Sequence, residues 1–137
     1  MITPYVFFQG TCAEAMQFYV DVFGGDIVMA MKASDMPDYP VPDDKKDWMA
    51  HMTVKFPSGA LHGSDDIMGG SAPMAGCSIM MELPTAADGQ TAFDQLAEGG
   101  QVEMPYEATF WSPGFGTLTD RFGTKWMIST TEQPPNA

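Results

Sequence analysis

Apolar and polar positions follow one order along the chain, and they follow it twice. Ile2 to Phe8 is short, rich in aromatic and β-branched residues, and reads as a strand ended by Gln9-Gly10. From Cys12 to Phe23, the apolar residues Ala15, Met16, Phe18, Tyr19, Val22 and Phe23 recur at spacings of three and four, which predicts one buried helical face. Thr11 stands three residues before Glu14, a capping-box spacing. Gly24-Gly25 stops the helix, and Asp26 to Lys32 reads as the next strand.

The second half repeats these events. Cys77 to Leu83 is an apolar strand broken by Pro84; Thr85 and Asp88 offer caps; Ala92, Phe93, Leu96 and Ala97 supply a helical face; Gly99-Gly100 ends it before a strand-like Gln101 to Tyr106. Phe18 precedes its Gly-Gly pair by six and seven residues, and Phe93 precedes its own by the same interval. Met29 and Met104 keep the same register. Each half then continues as β: Trp48 to Phe56 and Ala60 to Ser64 in the first, and Ala108 to Trp111, Thr117 to Thr119 and Lys125 to Thr130 in the second. The predicted fold is α+β, a βαβββ module used twice. It forms one domain over 1–137, with module 1 at about 1–68, a linker at 69–75 and module 2 at about 76–132. The Asp- and Pro-rich run Asp35 to Asp47 interrupts the first module and reads as a surface loop or lid. Ten more residues separate Phe18 from His62 than separate Phe93 from Met127. Gln133 to Ala137 reads as a frayed tail.

Composition narrows the partners. Six basic residues against 18 acidic ones give a net charge of −12, which repels phosphate backbones and argues against nucleic acid and anionic membrane surfaces. No apolar run approaches the ~20 residues of a membrane span, and the N-terminal residues lack a secretory signal pattern, so a cytoplasmic protein is expected. Cys12 and Cys77 lack metal or redox spacing and are expected to be reduced and buried.

Two clusters then carry a resemblance. Pro4-Tyr5-Val6-Phe7-Phe8-Gln9-Gly10, Ala13-Glu14-Ala15-Met16-Gln17-Phe18-Tyr19 and Val22-Phe23-Gly24-Gly25 resemble the opening of PhnB-like proteins. So do Glu107-Ala108-Thr109-Phe110-Trp111, Phe115-Gly116, Asp120-Arg121-Phe122-Gly123 and Trp126-Met127-Ile128. PhnB-like proteins are a branch of the vicinal oxygen chelate superfamily, with glyoxalase I, bleomycin-resistance proteins and extradiol dioxygenases. The resemblance covers roughly residues 2 to 131 and implies paired βαβββ modules forming a cup-shaped mixed sheet, usually in a homodimer. It also implies, in metal-dependent members, four ligands from the first and last strand of each module. Those positions fall here on Pro4, near His62, on Ser78 and on Met127.

Of these, His62 alone is a plausible metal ligand, whereas a catalytic divalent site generally needs about three from His, Cys, Asp or Glu. The expectation is therefore a small-molecule binder, or an enzyme of unknown reaction, with no metal and no cofactor. The alternative is a metal-dependent lyase or dioxygenase using His62 and His51. The ligand-contacting candidates are His62, His51, Trp48, Trp111, Met127 and Ser78, with Met52 and Met81 adding apolar lining beside Met127. An acidic, apolar cup would favour cationic, aromatic ligands. Asp65 and Asp66 read as turn caps, Arg121 as a turn residue and Cys12 as non-catalytic.

Overall fold

The repeated Gly-Gly pairs show how the sequence builds each half. After the first helix Gly24 takes φ 73° and its N–H reaches the Val20 carbonyl; after the second, Gly99 takes φ 72°. Only glycine enters that left-handed region without steric cost. The second glycine of each pair answers a different need. A Cβ on Gly25 would run into the Lys55 carbonyl, and one on Gly100 into the Thr119 carbonyl. One residue turns the chain and the next lets it lie against a neighbouring strand.

The computed structural model describes residues 1–134. It divides between Ala72 and Pro73 into two units. The first contains β1 (Tyr5–Phe8), α1 (Cys12–Phe23), β2 (Asp26–Lys32), β3 (Met49–Phe56) and β4 (Gly59–Asp65). Its four-stranded sheet has the order β1-β4-β3-β2, with β1 parallel to β4 and the other pairs antiparallel. The second contains β5 (Ile79–Leu83), α2 (Ala86–Ala97), β6 (Gln101–Glu107), β7 (Phe115–Thr119) and β8 (Lys125–Thr130), in the order β5-β8-β7-β6 with the same pairing senses. The fold is thus α+β, two βαβββ modules, as the repeat predicts.

Each sheet has one face under its helix. In the first unit Val6, Phe8, Met52, Val54 and Leu61 are buried with Ala15, Met16 and Tyr19 of α1. A Cβ on Gly63 would lie 3.0 Å from Met16, which marks that face as the helix side. In the second, Leu118, Trp126 and Ile128 are buried with Ala92, Phe93 and Leu96 of α2. The opposite face of each sheet carries the residues in between: Tyr5 and Phe7 alternate with buried Val6 and Phe8 along β1.

Several local expectations change. β1 starts at Tyr5 rather than Ile2, and β5 at Ile79 rather than Cys77. Ala108 to Trp111 is not a strand. Thr109 and Ser112 close a turn there, with Thr109 N–H donating to the Ser112 carbonyl at 2.8 Å and Ser112 N–H to Thr109 Oγ1 at 3.2 Å. Such side chains offer the backbone an alternative to a ladder, and Pro113 removes one donor. Thr85 caps α2, accepting from Asp88 N–H at 3.0 Å, but Thr11 makes no side-chain cap on α1. Asp65 takes that role from the end of β4. Cys12 is buried as expected, whereas Cys77 is exposed because it precedes β5 instead of lying in it. The segment from Asp35 to Asp47 is not a strand; short 3-10 turns at Ala33–Asp35 and Asp43–Lys45 flank its prolines. Of the expected tail, Gln133 and Pro134 have no regular structure, and residues 135–137 lie outside the described residues.

Candidate functional site

The chemistry gathers on the open face of the first sheet. Tyr5 on β1 is the ladder partner of His62 on β4, and His62 is the partner of Thr53 on β3. Thr53 in turn pairs with Met29, and His51 with Met31, both on β2. Residues facing each other across a ladder share a sheet face. The rings confirm it: His51 and His62 have centroids 5.1 Å apart and meet edge-to-face, Tyr5 lies 5.5 Å from His51, and Phe7 lies 5.2 Å from Tyr5.

His51 is held at both ends. The Tyr5 hydroxyl lies 3.0 Å from Nδ1, and Thr53 Oγ1 lies 3.0 Å from Nε2. A neutral imidazole has one donor and one acceptor nitrogen, and each hydroxyl can play either part, so both tautomers satisfy the chain. Burial, with the neighbouring His62 second, holds His51 below the ordinary histidine range and so favours that neutral form. The ring of His62 has no protein hydrogen bond among the described residues and is half-buried, so its nitrogens are available to a ligand. His51 is the fixed imidazole and His62 the free one.

The second sheet carries the corresponding row without that chemistry. Met80, Met127, Thr117 and Met104 are successive ladder partners across β5, β8, β7 and β6. Set beside Tyr5, His62, Thr53 and Met29, the last two positions repeat as Thr and Met, while the first two change from Tyr-His to Met-Met. Met127 faces away from buried Trp126 and Ile128, on the open side. Ser78 lies outside β5 and is exposed; Met80, not Ser78, is the strand partner of Met127. On β1 the partner of His62 is Tyr5, not Pro4, whose carbonyl instead accepts the His62 N–H at 3.0 Å.

The other candidates scatter. Trp48 turns onto Gly10, where a Cβ would meet its ring at 3.0 Å, and Lys45 Nζ sits 4.7 Å from the ring centre. Trp111 is half-exposed between Phe110 and Phe115, with centroids at 4.7 and 5.5 Å. Met52 and Met81 are corrections to the expected apolar lining. Met52 pairs with Gly63, and Met81 with buried Ile128, on the helix-covered faces. Asp65 is buried and structural: Oδ1 accepts from Gly10 N–H at 2.8 Å and Cys12 N–H at 2.9 Å, and Oδ2 from Met49 N–H at 2.8 Å. Asp66 caps the following turn through Gly69 and Ser71 N–H. Burial, with the charge of Asp65 adding to it, pushes the Cys12 thiol up to about 12, so it is no nucleophile at neutral pH. Arg121 lies over the ring of its neighbour Phe122 at 4.5 Å. Sequence reasoning missed Tyr5, Phe7 and Thr53; the alternation along β1 and β3 was the signal that could have found them.

A family model covers nearly all of this architecture. The model of the Glyoxalase/Bleomycin resistance protein/Dioxygenase superfamily matches residues 2–128. This chain belongs to that superfamily. Protein YjdN of Escherichia coli K12 is 30% identical, over 98% of this chain and 97% of its own. The crystal structure of protein PA1353 from Pseudomonas aeruginosa has a TM-score of 0.87 at 37% identity, covering 95% of this chain and 96% of that one. A Bacillus cereus protein described as a putative 3-demethylubiquinone-9 3-methyltransferase, PhnB protein, shares the fold at TM-score 0.82 and 24% identity, over 95% of this chain and 98% of its own.

Within the Glyoxalase/Bleomycin resistance protein/Dioxygenase superfamily, the divalent metal of metal-dependent members asks for donors that these positions do not supply. The strand partners are a phenol and an imidazole in one unit and two thioethers in the other. No group of three or more His, Cys, Asp or Glu side chains comes together among the described residues. Thioethers are poor ligands for hard or borderline divalent ions. The donor set does not fit that metal.

Proposed function

We propose that this superfamily member binds a small organic molecule on the open face of the β1-β4-β3-β2 sheet, without a catalytic divalent metal, and that it works as a homodimer in the cytoplasm. The observation that carries the binding reading is the ring platform of Tyr5, Phe7, His51 and His62, in which His51 is hydrogen-bonded at both nitrogens and His62 is not. Tyr5 and Phe7 are 43% and 58% exposed, which leaves ring surface for stacking, and His62 supplies the polar contact that orients a ligand. With a net charge of −12, the chain draws cationic, aromatic molecules more readily than anionic ones. Met127 and Trp111 are the corresponding contact candidates of the second unit. Assembly is supported by the outermost strands β2 and β6, which expose Ile27, Val28 and Met29 in one unit and Val102 and Met104 in the other. Uncovered strand edges invite a partner.

A thermal-shift screen of cationic and neutral aromatic compounds, run with and without chelator, tests this reading. A ligand that raises the melting temperature of the parent equally in both conditions, but not that of His62→Ala, supports it. Stabilisation that appears only with one divalent metal, in a protein purified with stoichiometric amounts of it, would refute it.

A further inference from the structure

Tyr5 carries an imidazole on its hydroxyl. Tyr5 Oη lies 3.0 Å from His51 Nδ1, and Thr53 Oγ1 lies 3.0 Å from His51 Nε2, so three side chains of the first unit form one hydrogen-bonded chain. Hydroxyls stand at both of its ends, but they are unequal acids. A phenol ionises near pH 10, and an aliphatic hydroxyl does not ionise in that range. Acidity therefore selects the order in which Tyr5 O–H donates to Nδ1 and Nε2–H donates to Thr53 Oγ1. That is the order of an activated nucleophile: a hydroxyl, a base, and a third group that orients the base. We propose that Tyr5 is a nucleophile for acyl transfer from uncharged aryl esters, with His51 as its general base and Thr53 as the positioning residue. It rests on the binding reading above only in that the ester sits on the same face.

The atoms balance with water as the sole co-reactant. Tyr5 Oη bonds to the ester carbonyl carbon as its proton passes to His51 Nδ1. The ester C–O bond then breaks, and the departing aryloxide takes that proton, leaving acyl-Tyr5 and a phenol. In the second half the roles reverse. The water oxygen joins the acyl carbon, its proton goes to Nδ1, and Tyr5 departs and recovers it. The sum is ester and water giving acid and phenol. Two observations support these roles. Burial, with His62 second, keeps His51 in the neutral form that accepts a proton. Phe7 lies 5.2 Å from the Tyr5 ring and is itself exposed, so an aryl group can stack beside the attacking oxygen.

The remaining tyrosines supply the comparison. Tyr39 is 40% exposed against 43% for Tyr5, and it has no histidine partner among the described residues. Tyr19 is fully buried, and the Tyr106 hydroxyl donates to the Ala86 carbonyl at 2.8 Å.

The test is sulfonylation of the full chain by phenylmethanesulfonyl fluoride, in which a tyrosine oxygen joins sulfur and fluoride departs, followed at each tyrosine by peptide mass spectrometry. A positioned base contributes about 10²–10⁴-fold, so Tyr5 should label at least about 10-fold faster than Tyr39. A smaller preference overturns the proposal, and this comparison needs no variant. His51→Gln should slow Tyr5 by at least about 10-fold on the same ground. Thr53→Val, which keeps the side chain's shape, should slow it too, and Thr53→Ser should restore it. Tyr5 labelling that neither His51→Gln nor Thr53→Val slows overturns the assignment. With the exposed Cys77 alkylated first, hydrolysis of p-nitrophenyl acetate should fall in step with Tyr5 labelling; hydrolysis undiminished after complete labelling also overturns it. A compound that stabilises the chain in the thermal-shift screen, while Tyr5 labels no faster than Tyr39, would leave the binder reading standing and this one refuted.

Discussion

Asp65 should be the most costly single side chain to remove from the first unit. It is 4% exposed and terminates β4, yet its carboxylate serves three separated backbone N–H groups. Two belong to the start of α1 and one to the start of β3, so one residue ties helix to sheet. Hydrogen bonds to a charged acceptor contribute about 1.5–3 kcal/mol each, and a buried donor left unpaired costs about 1–3 kcal/mol. The three share one carboxylate and are not independent, which puts Asp65→Ala at about 3–6 kcal/mol rather than the full sum. The negative charge near the N-terminus of α1 adds to the loss. Against a total stability of about 5–15 kcal/mol, such a variant is near unfolding at room temperature. Asp65→Asn keeps one carbonyl oxygen for Gly10 and Cys12 but turns an NH2 group toward Met49 N–H, so it should lose about half as much. Urea unfolding followed by circular dichroism measures both. Asp66→Ala, in an exposed turn, should lose far less. An Asp65→Ala loss below about 1 kcal/mol, or equal losses for Asn and Ala, would refute the three-bond account.

A thiol reagent at neutral pH should label Cys77 rapidly and Cys12 only after denaturation, because Cys12 is buried with its pKa pushed up to about 12; two fast thiols in the native protein would contradict this. His51 is held below its ordinary value, so the unfolded chain takes up its proton first as acid is added. Its contribution is present above the unfolded value of about 6.5 and is lost as pH falls below it toward the lower folded value. His51→Gln should flatten the fall in melting temperature over that window, and an unchanged slope would exclude the effect. Shortening 36–46 should leave the fold intact, since closure entropy changes slowly with surface-loop length; we propose that the same deletion weakens ligand binding and removes any ligand-induced change in Trp48 fluorescence. Light scattering at micromolar concentration should return a mass near twice that of the chain, and a value near 15 kDa would exclude the homodimer.

The architecture was legible in the sequence because it rests on local patterns. Helix faces repeat every three to four residues, and Gly24-Gly25 and Gly99-Gly100 mark backbone requirements that no other residue meets. Both leave a trace in the chain itself, and the trace appears twice. What the sequence could not decide was which residues meet. Strand alternation assigns faces only once the register is known, and a slip of one residue moves a side chain to the other side of the sheet. That slip separates Pro4 from Tyr5 as the partner of His62, and the same face choice sends Met52 and Met81 under the helices. Ala108 to Trp111 looked like a strand because its composition is β-rich, but the Thr109 and Ser112 side chains made a turn the better partner for the backbone. Asp65 looked like a turn residue, since nothing local shows that Gly10, Cys12 and Met49 converge on it from up to 55 positions away. His51 and His62 were legible as a pair on neighbouring strands, and the antiparallel pairing of β3 with β4 sets their ring centres 5.1 Å apart.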